Sequence, residues 1–529
     1  MECNNTNTCN TTTVTEQITV TKLNDVYLKI KAEPHIIKEA SQYFTFAVPN
    51  AQFSPQFRKK HWDGKIKLLD MRSGKLYVGL LSHLKKFADN FGYSVVLNDD
   101  IFPKNNITPE NVVGFCDHIK PHSKNNPIKH HDYQYKGTYL ALNRRRTLLV
   151  SPTASGKSLI IYSIIRAIMG MGELSDRKLL IIVPTTSLVE QMYSDFSDYS
   201  SHNGWNTEKH CHRIYSGMDK TSDKRIFIST WQSIYDFPKE YFDQFGSVIV
   251  DEVHLAEASS IKGIMEKLES CPYRIGLTGT LKDAKTHRLT LEGLFGRSYQ
   301  IETTKNLMDR GHITPLHIDI AVLKYNKKIL DDFVRFMKVE QDEAKKTRKK
   351  FSPYQSEMRF ICQLGIRNLF IRNLALELEG NTLVLFQFVD KHGVILRDLI
   401  ETECPPDRKV FFVVGKTDTD AREEVRRIVA KENNAIILAS YGVFSTGINI
   451  PNLHNGIFAS PYKSKVKVLQ SIGRGLRKHE SKDVFNLYDI SDDLKIKDVD
   501  NYGLKHCFER IAIYDREQFE YDITTCEVE

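Results

Sequence analysis

Thr147-Leu-Leu-Val-Ser-Pro-Thr-Ala-Ser-Gly-Lys-Ser158, which runs straight into the apolar stretch Leu159 to Met171, decides the fold. An apolar run of strand length enters a turn of small residues, and an apolar run of helical length leaves it. A phosphate-binding loop requires this strand–loop–helix setting. Backbone N–H groups at the helix start cradle phosphate oxygens, and Gly156 lets the backbone come close. Thr153, Ala154, Ser155, Gly156, Lys157 and Ser158 are therefore expected to bind a nucleotide. Lys157 would reach the β- and γ-phosphates and Ser158 would hold Mg²⁺. Gly-Lys-Ser alone is a weak signal, and the flanking elements carry it. The first loop position, usually Gly or Ala, is Ser151 here, which is still small.

Further apolar runs of strand length alternate with helix-length segments on both sides of this loop. Lys178–Val183, Arg225–Ile228, Ser247–Val250 and Tyr273–Leu277 continue the first series. Asn381–Phe386, Lys409–Val414, Ala435–Ala439 and Asn455–Phe458 form a second. This is the rhythm of a parallel sheet covered by helices. The sequence predicts an α/β fold with two such domains, at 123–302 and 303–529. The second carries a charged helical insertion at about 327–378 and a C-terminal helical segment. Before them, 18–122 reads as a small α+β unit, and 1–17, rich in Asn and Thr, reads as a flexible tail. No internal repeat of solenoid period stands out.

Val248-Ile-Val-Asp-Glu-Val-His254 places two acids at the end of a buried strand, 251 − 157 = 94 residues after Lys157. Burying both costs desolvation unless a cation satisfies them. Asp251 suits Mg²⁺ coordination, and Glu252 is placed to polarise an attacking water. Leu469-Gln-Ser-Ile-Gly-Arg-Gly-Leu-Arg477 puts Arg474 and Arg477 three apart on one helix face. Isolated, such a pair is a solvated basic face. In the second domain it can complete a nucleotide site in the first, supplying charge to a phosphoryl-transfer transition state.

The 529 residues carry 74 Lys+Arg and 66 Asp+Glu, so the net charge is 74 − 66 = +8. That is a mild bias towards polyanions, and clustering matters more than the total. Arg58, Lys59, Lys60, Lys65 and Lys67 surround Trp62 within ten residues, a pattern suited to phosphate neutralisation and base stacking. A solvated loop with Trp62 in the core is the plainer alternative. Lys345–Lys350 reads first as a solvated helix end. Nine scattered cysteines and no export signal point to a reduced compartment, and no run is long and apolar enough to span a bilayer. His210, Cys211 and His212 lack a second ligand pair at zinc spacing.

The ordered motifs resemble superfamily-two helicases of the DExH type, over about 340 residues. That resemblance implies two RecA-like motor domains, with ATP and Mg²⁺ as cofactors. It assigns Gln134 to adenine and Gly447 to the nucleotide. Pro184, Thr185, Thr230, Trp231, Gln387, Gly415, Ser445 and Thr446 would grip a nucleic-acid backbone. His254, Thr278, Thr280 and Gln470 would couple ATP state to strand movement. Phe53–Asp70, Lys86–Tyr93, Ser440–Asn449 and Leu504–Arg510 are similar to the UvsW-type recombination helicases of phages. This narrower resemblance implies a 3′-to-5′ DNA helicase that unwinds and branch-migrates forked or recombination-intermediate DNA, with Arg58, Lys59 and Lys60 as further contacts. Its implied setting is the host cytoplasm, as a monomer, with no membrane and with single-strand-binding or recombination proteins as further partners. A duplex translocase without stable unwinding, an RNA helicase and a non-catalytic binding module remain alternatives.

Overall fold

A computed structural model describes residues 16–48, 51–98, 101, 105–254, 258–281, 285–415, 417, 419–447, 450–462 and 464–529. Two seven-stranded sheets dominate it. The first runs Cys211–Ile214, Ile226–Thr230, Lys178–Val183, Phe245–Val250, Tyr273–Thr278, Arg146–Val150, Ser298–Gln300. The second runs Val410–Val413, Ile436–Ser440, Thr382–Phe386, Asn455–Phe458, Phe485–Asp493, Leu316–Tyr325, Tyr521–Val528. All adjacent pairs are parallel. Numbered in chain order within each sheet, both read 3-4-2-5-6-1-7. The central strands are buried on both faces, which explains their near-continuous Val, Ile and Leu. Every C-terminal strand end then opens onto the same edge of its sheet.

The insertion expected at 327–378 forms three helices, Lys327–Lys346, Pro353–Gln363 and Gly365–Glu377. The C-terminal segment needs correction. The helix Tyr502–Glu517 is followed by the strand Tyr521–Val528, which pairs in parallel with Leu316–Tyr325 as the sheet edge. Its polar, mostly exposed residues carry no apolar run, so pattern reading missed it.

The N-terminal sheet runs Lys75–Tyr77, Tyr27–Lys31, Gln17–Lys22, Ser94–Leu97. Gln17 therefore opens a strand and is not part of the tail, whose residues 1–15 lie outside the described ones. The helix Pro109–His118, read as part of the N-terminal unit, packs elsewhere. Val112, Cys116 and Ile119 share a core with Leu149, Ile160 and Tyr162 of the first motor domain. That moves the boundary we propose from 122 to about 104, with packing as the reason.

Nor does the N-terminal unit stand apart. Its core is continuous with that of the first motor sheet, joining Leu28, Leu76 and Phe87 to Leu148, Val248 and Phe295. Tyr27 and Tyr77 both donate to Glu266 Oε1, at 2.6 and 2.7 Å, and His83 meets Glu292 at 2.7 Å. At Gly79 a Cβ would run into the Glu292 carbonyl, so only glycine permits this approach.

Candidate active site

The turn after Arg146–Val150 bends through left-handed backbone at Ala154 (φ +67°) and Gly156 (φ +73°), and the helix Lys157–Gly170 follows. Thr153, Ala154, Gly156, Lys157 and Ser158 line one cavity together with Asp251, Glu252, Gln470, Arg474 and Arg477. Residues from both sheets thus face one another across a single cleft. Ser155 turns inward instead, its hydroxyl accepting from Ser151 at 2.7 Å.

Lys157 Nζ lies 3.1 Å from Glu252 Oε1. Burial alone would raise the Glu252 carboxyl, but Lys157 and His254 outweigh it and hold the group below its ordinary range. Asp251 goes the other way, raised by burial and then by the neighbouring Glu252 charge. Glu252 also sits at φ +48°, a strain of about 1–3 kcal/mol of the kind that concentrates at working sites. Two buried carboxylates beside one lysine form a donor set short of positive charge, and the Asp251 and Ser158 oxygens suit a hard divalent cation.

From the other sheet, burial and then Arg477 bring the Arg474 guanidinium down to about 9, and burial lowers Arg477 as well. Two like charges partly buried in one cleft favour an arriving polyanion. The arginine helix reaches the phosphate loop because of Gly473, where a Cβ would stand 2.6 Å from Thr153 Cβ. Alongside runs a hydrogen-bond chain. Gln470 Nε2 meets His254 Nε2 at 3.0 Å, His254 Nδ1 meets Thr278 Oγ1 at 2.5 Å, and Thr278 donates to the Thr280 carbonyl at 2.8 Å. These bonds link the arginine helix of the second sheet to the end of the strand Tyr273–Thr278 in the first.

Gln134, the residue expected at adenine, lies against the phosphate loop. It is buried, its Nε2 donates to the Ser155 carbonyl at 3.0 Å, and its Oε1 accepts from the His131 amide at 2.9 Å. One end of its amide thus holds the phosphate loop, and the other caps the helix Asp132–Arg144 that carries it. His210, Cys211 and His212 diverge as well. Cys211 is in the core, His210 stacks on Trp205, and His212 meets the Asp219 carbonyl.

Candidate backbone-binding residues sit at strand ends. Thr185 caps the helix Thr186–Tyr199, Thr230 meets the Ser233 hydroxyl at 2.9 Å, and Trp231 packs on the core shared with the N-terminal unit. Pro184 is buried, Gln387 half-buried and Gly415 exposed. Ser445, Thr446 and Gly447 lie in the helix Tyr441–Gly447, while Lys416, Ile448 and Asn449 are outside the described residues. Arg58, Lys59 and Lys60 are exposed at a short helix, far from the cleft's lining. Trp62 is half-buried and donates to the Lys65 carbonyl at 2.8 Å, which fixes the loop between them.

Three family models match the chain. They are the N-terminal domain of DNA helicase UvsW over 17–98, the res subunit of type III restriction enzymes over 120–283, and the helicase conserved C-terminal domain over 366–479. The ATP-dependent DNA helicase uvsW of Enterobacteria phage T4 is 36% identical over 516 residues, covering 94% of this chain and 97% of that protein. The chain belongs to the UvsW family of ATP-dependent DNA helicases. The crystal structure of T4 UvsW aligns over 97% of this chain and 99% of that one, with a TM-score of 0.50 and 33% identity. The DNA 3′-5′ translocase XPB2 of Sulfurisphaera tokodaii is 26% identical, over 67% of this chain and 80% of that protein. A DNA-bound type ISP restriction-modification enzyme, LlaBIII, shares the fold at a TM-score of 0.54 and 16% identity, over 84% of this chain and 34% of that one.

Sequence reading missed several residues at the cleft of this UvsW-family chain. Leu188, Gln191, Met192 and Asp195 line it from the helix after Thr185. Their i, i+3, i+4, i+7 spacing marks one face, and a polar pair on that face was the available signal. Burial pushes the Asp195 carboxyl up to about 6, opposed by a hydrogen bond from Ser158 and by Arg477. Tyr199 OH meets Ser158 Oγ at 2.8 Å. His312 and Ile313 close the far end and follow no motif.

Proposed function

We propose that this chain converts ATP hydrolysis into unwinding and branch migration of forked or recombination-intermediate DNA, moving 3′ to 5′ as a monomer in its host's cytoplasm. The observation that carries this reading is the single cleft lined by Lys157, Asp251 and Glu252 of one sheet and by Arg474 and Arg477 of the other. Hydrolysis then depends on the two domains closing, which makes a motor.

Before ATP arrives, Lys157 neutralises Glu252. The β- and γ-phosphates draw Lys157 towards themselves and leave the Glu252 carboxylate to take a proton from the attacking water. Arg474 and Arg477 meet the negative charge that builds on the transferring phosphoryl group. Ser158 and Asp251 would hold Mg²⁺, which would screen the phosphate charge. Gln470, His254, Thr278 and Thr280 carry the state of the cleft to the strand-end loops. Thr185, Thr230, Trp231, Gln387, Gly415, Ser445 and Thr446 contact the backbone there, because the C-terminal strand edges of both sheets present them. Single-strand-binding or recombination proteins are the further partners of this reading.

The test is ATPase stimulation by single-stranded, duplex, forked and four-way DNA and by RNA, beside strand displacement on forks. Strongest stimulation by branched DNA with displacement supports the reading, and RNA alone as activator ends it. A second reading, duplex translocation without strand separation, is favoured by the likeness to a protein named as a DNA 3′-5′ translocase. Triplex displacement without fork unwinding would select it.

A further inference from the structure

We propose that the loop carrying Phe53 and the insertion turn carrying Lys350 are two lips of a gate that closes around a DNA strand held by both motor sheets. The proposal rests on the reading above, that nucleic acid lies along the C-terminal strand ends.

Lys350 Nζ stands 5.1 Å from the centroid of the Phe53 ring. The two residues are 350 − 53 = 297 positions apart, one in the N-terminal unit and the other in the helical insertion of the second motor domain. Each lip is tied to a candidate strand-binding loop of its own side. The Phe53 lip belongs to the N-terminal unit, whose core is continuous with the first motor sheet, and Trp231 packs on that same core. The Lys350 lip joins the helices Lys327–Lys346 and Pro353–Gln363, which pack together. The second of these helices lies on Val389–Gly393, the turn that follows Gln387.

The motor domains also touch at the cleft, through Gln470–His254 and Gly473–Thr153. Cleft on one side and Phe53–Lys350 on the other therefore complete a closed circuit of protein. That circuit passes through the strand-end loops of both sheets.

Its lips have the chemistry of a polyanion clamp. Arg58, Lys59 and Lys60 on one, and Arg348, Lys349 and Lys350 on the other, are exposed cations suited to phosphates. Phe53 is 54% exposed and Phe57 38%, large rings that gain nothing from water and can stack on unpaired bases. An exposed cation–π contact favours the closed form by only about two- to fivefold. The gate thus opens unaided, admits a strand sideways, and is biased shut once the strand's phosphates draw both basic lips inward.

The test uses the full chain with Phe53→Cys and Lys350→Cys, in a background where Cys3, Cys9, Cys404 and Cys526 are changed to Ser. The protein is loaded on closed circular single-stranded DNA, cross-linked with a short bismaleimide and washed in high salt. Salt strips electrostatic binding, so the doubly substituted chain should stay on the circle at least about tenfold better than either single-cysteine chain. Cutting the circle should release it. Efficient cross-linking without extra retention would show that the lips meet but enclose nothing, and would overturn the gate. Retention that survives cutting would overturn it as well, since the linkage would not be topological. A free chain whose two cysteines fail to cross-link removes the contact itself. Failure of the underlying reading looks different: the unmodified chain would then neither bind the circle in low salt nor hydrolyse ATP faster with it, and the gate would fall too.

Discussion

In the first motor sheet the strand Arg146–Val150 runs into a turn of small residues and Lys157. In the second, the strand of equal rank, Leu316–Tyr325, passes through Asn326 directly into the helix Lys327–Lys346. Asn326 caps that helix by accepting from the Ile329 amide at 3.1 Å, which leaves no open amide cradle for a phosphate. Elsewhere the two sheets correspond. The second-ranked strands end at Pro184-Thr185 and at Gln387, and the fourth-ranked strands lead to Thr230-Trp231 and to Ser445-Thr446. Candidate nucleic-acid contacts are thus duplicated at matching ranks, while the nucleotide loop is single and its arginines come from the other copy. One strand order serves two jobs because a parallel sheet fixes only where its loops emerge, not what they hold.

The sharpest way to break this division is Lys157→Ala. It should abolish ATP hydrolysis while circular dichroism and melting stay near wild type, because the second sheet has no loop to compensate. Near-native turnover by a folded variant would end the assignment. Next come the two partners from opposite sheets. Arg477→Ala should lower kcat by about a hundredfold or more with ATP affinity nearly intact, as expected of a group acting in the transition state. Loss of affinity at constant kcat would make it a ground-state ligand instead.

Glu252→Gln should still bind ATP and hydrolyse it about a hundredfold more slowly, measured in single turnover. A fall below tenfold would remove Glu252 as the base. Gly473→Ala sharpens the comparison differently, since its methyl group meets Thr153 only when the domains touch. We expect an unchanged melting temperature with kcat reduced by about tenfold, because pushing the arginine helix off the phosphate loop misaligns Arg474 and Arg477. An unaffected kcat would mean that hydrolysis does not need this approach.

The smallest effect belongs to the N-terminal unit. Changing Arg58, Lys59 and Lys60 together to Ala should weaken fork binding and flatten its salt dependence, by about 0.9 in log–log slope for each phosphate no longer neutralised. Maximal ATPase on saturating single-stranded DNA should stay within about twofold, since both motor sheets remain whole. An unchanged slope would make the cluster a solvated face. A collapsed basal ATPase would instead show that the shared core through Leu148 and Phe295 makes the unit a buttress of the first sheet.

Much of the cleft was legible because its residues follow strands in fixed order. Lys157, Asp251 and Glu252 each follow an apolar run that announces them, and Arg474 and Arg477 share one helix face. Asp195 was not, since it enters the cleft from the flank of an amphipathic helix whose other positions look ordinary. Gln134 was placed by resemblance at adenine, and only the fold shows that its amide also ties the phosphate loop to the cap of its own helix. The strand Tyr521–Val528 escaped because an edge strand buries too little to need an apolar pattern.

Sequence by itself determined the buried strands, the phosphate loop and the charges available to it, because these depend on local periodicity and residue chemistry. It could not show that both sheets have the order 3-4-2-5-6-1-7, since strand order is set by long-range pairing and leaves no mark on neighbouring residues. Tertiary structure alone decided that Gly473 touches Thr153, that Gln470 reaches His254, and that Lys350 arrives over Phe53. Such contacts join residues hundreds of positions apart, and only packing of one folded domain against another can bring them within bonding distance.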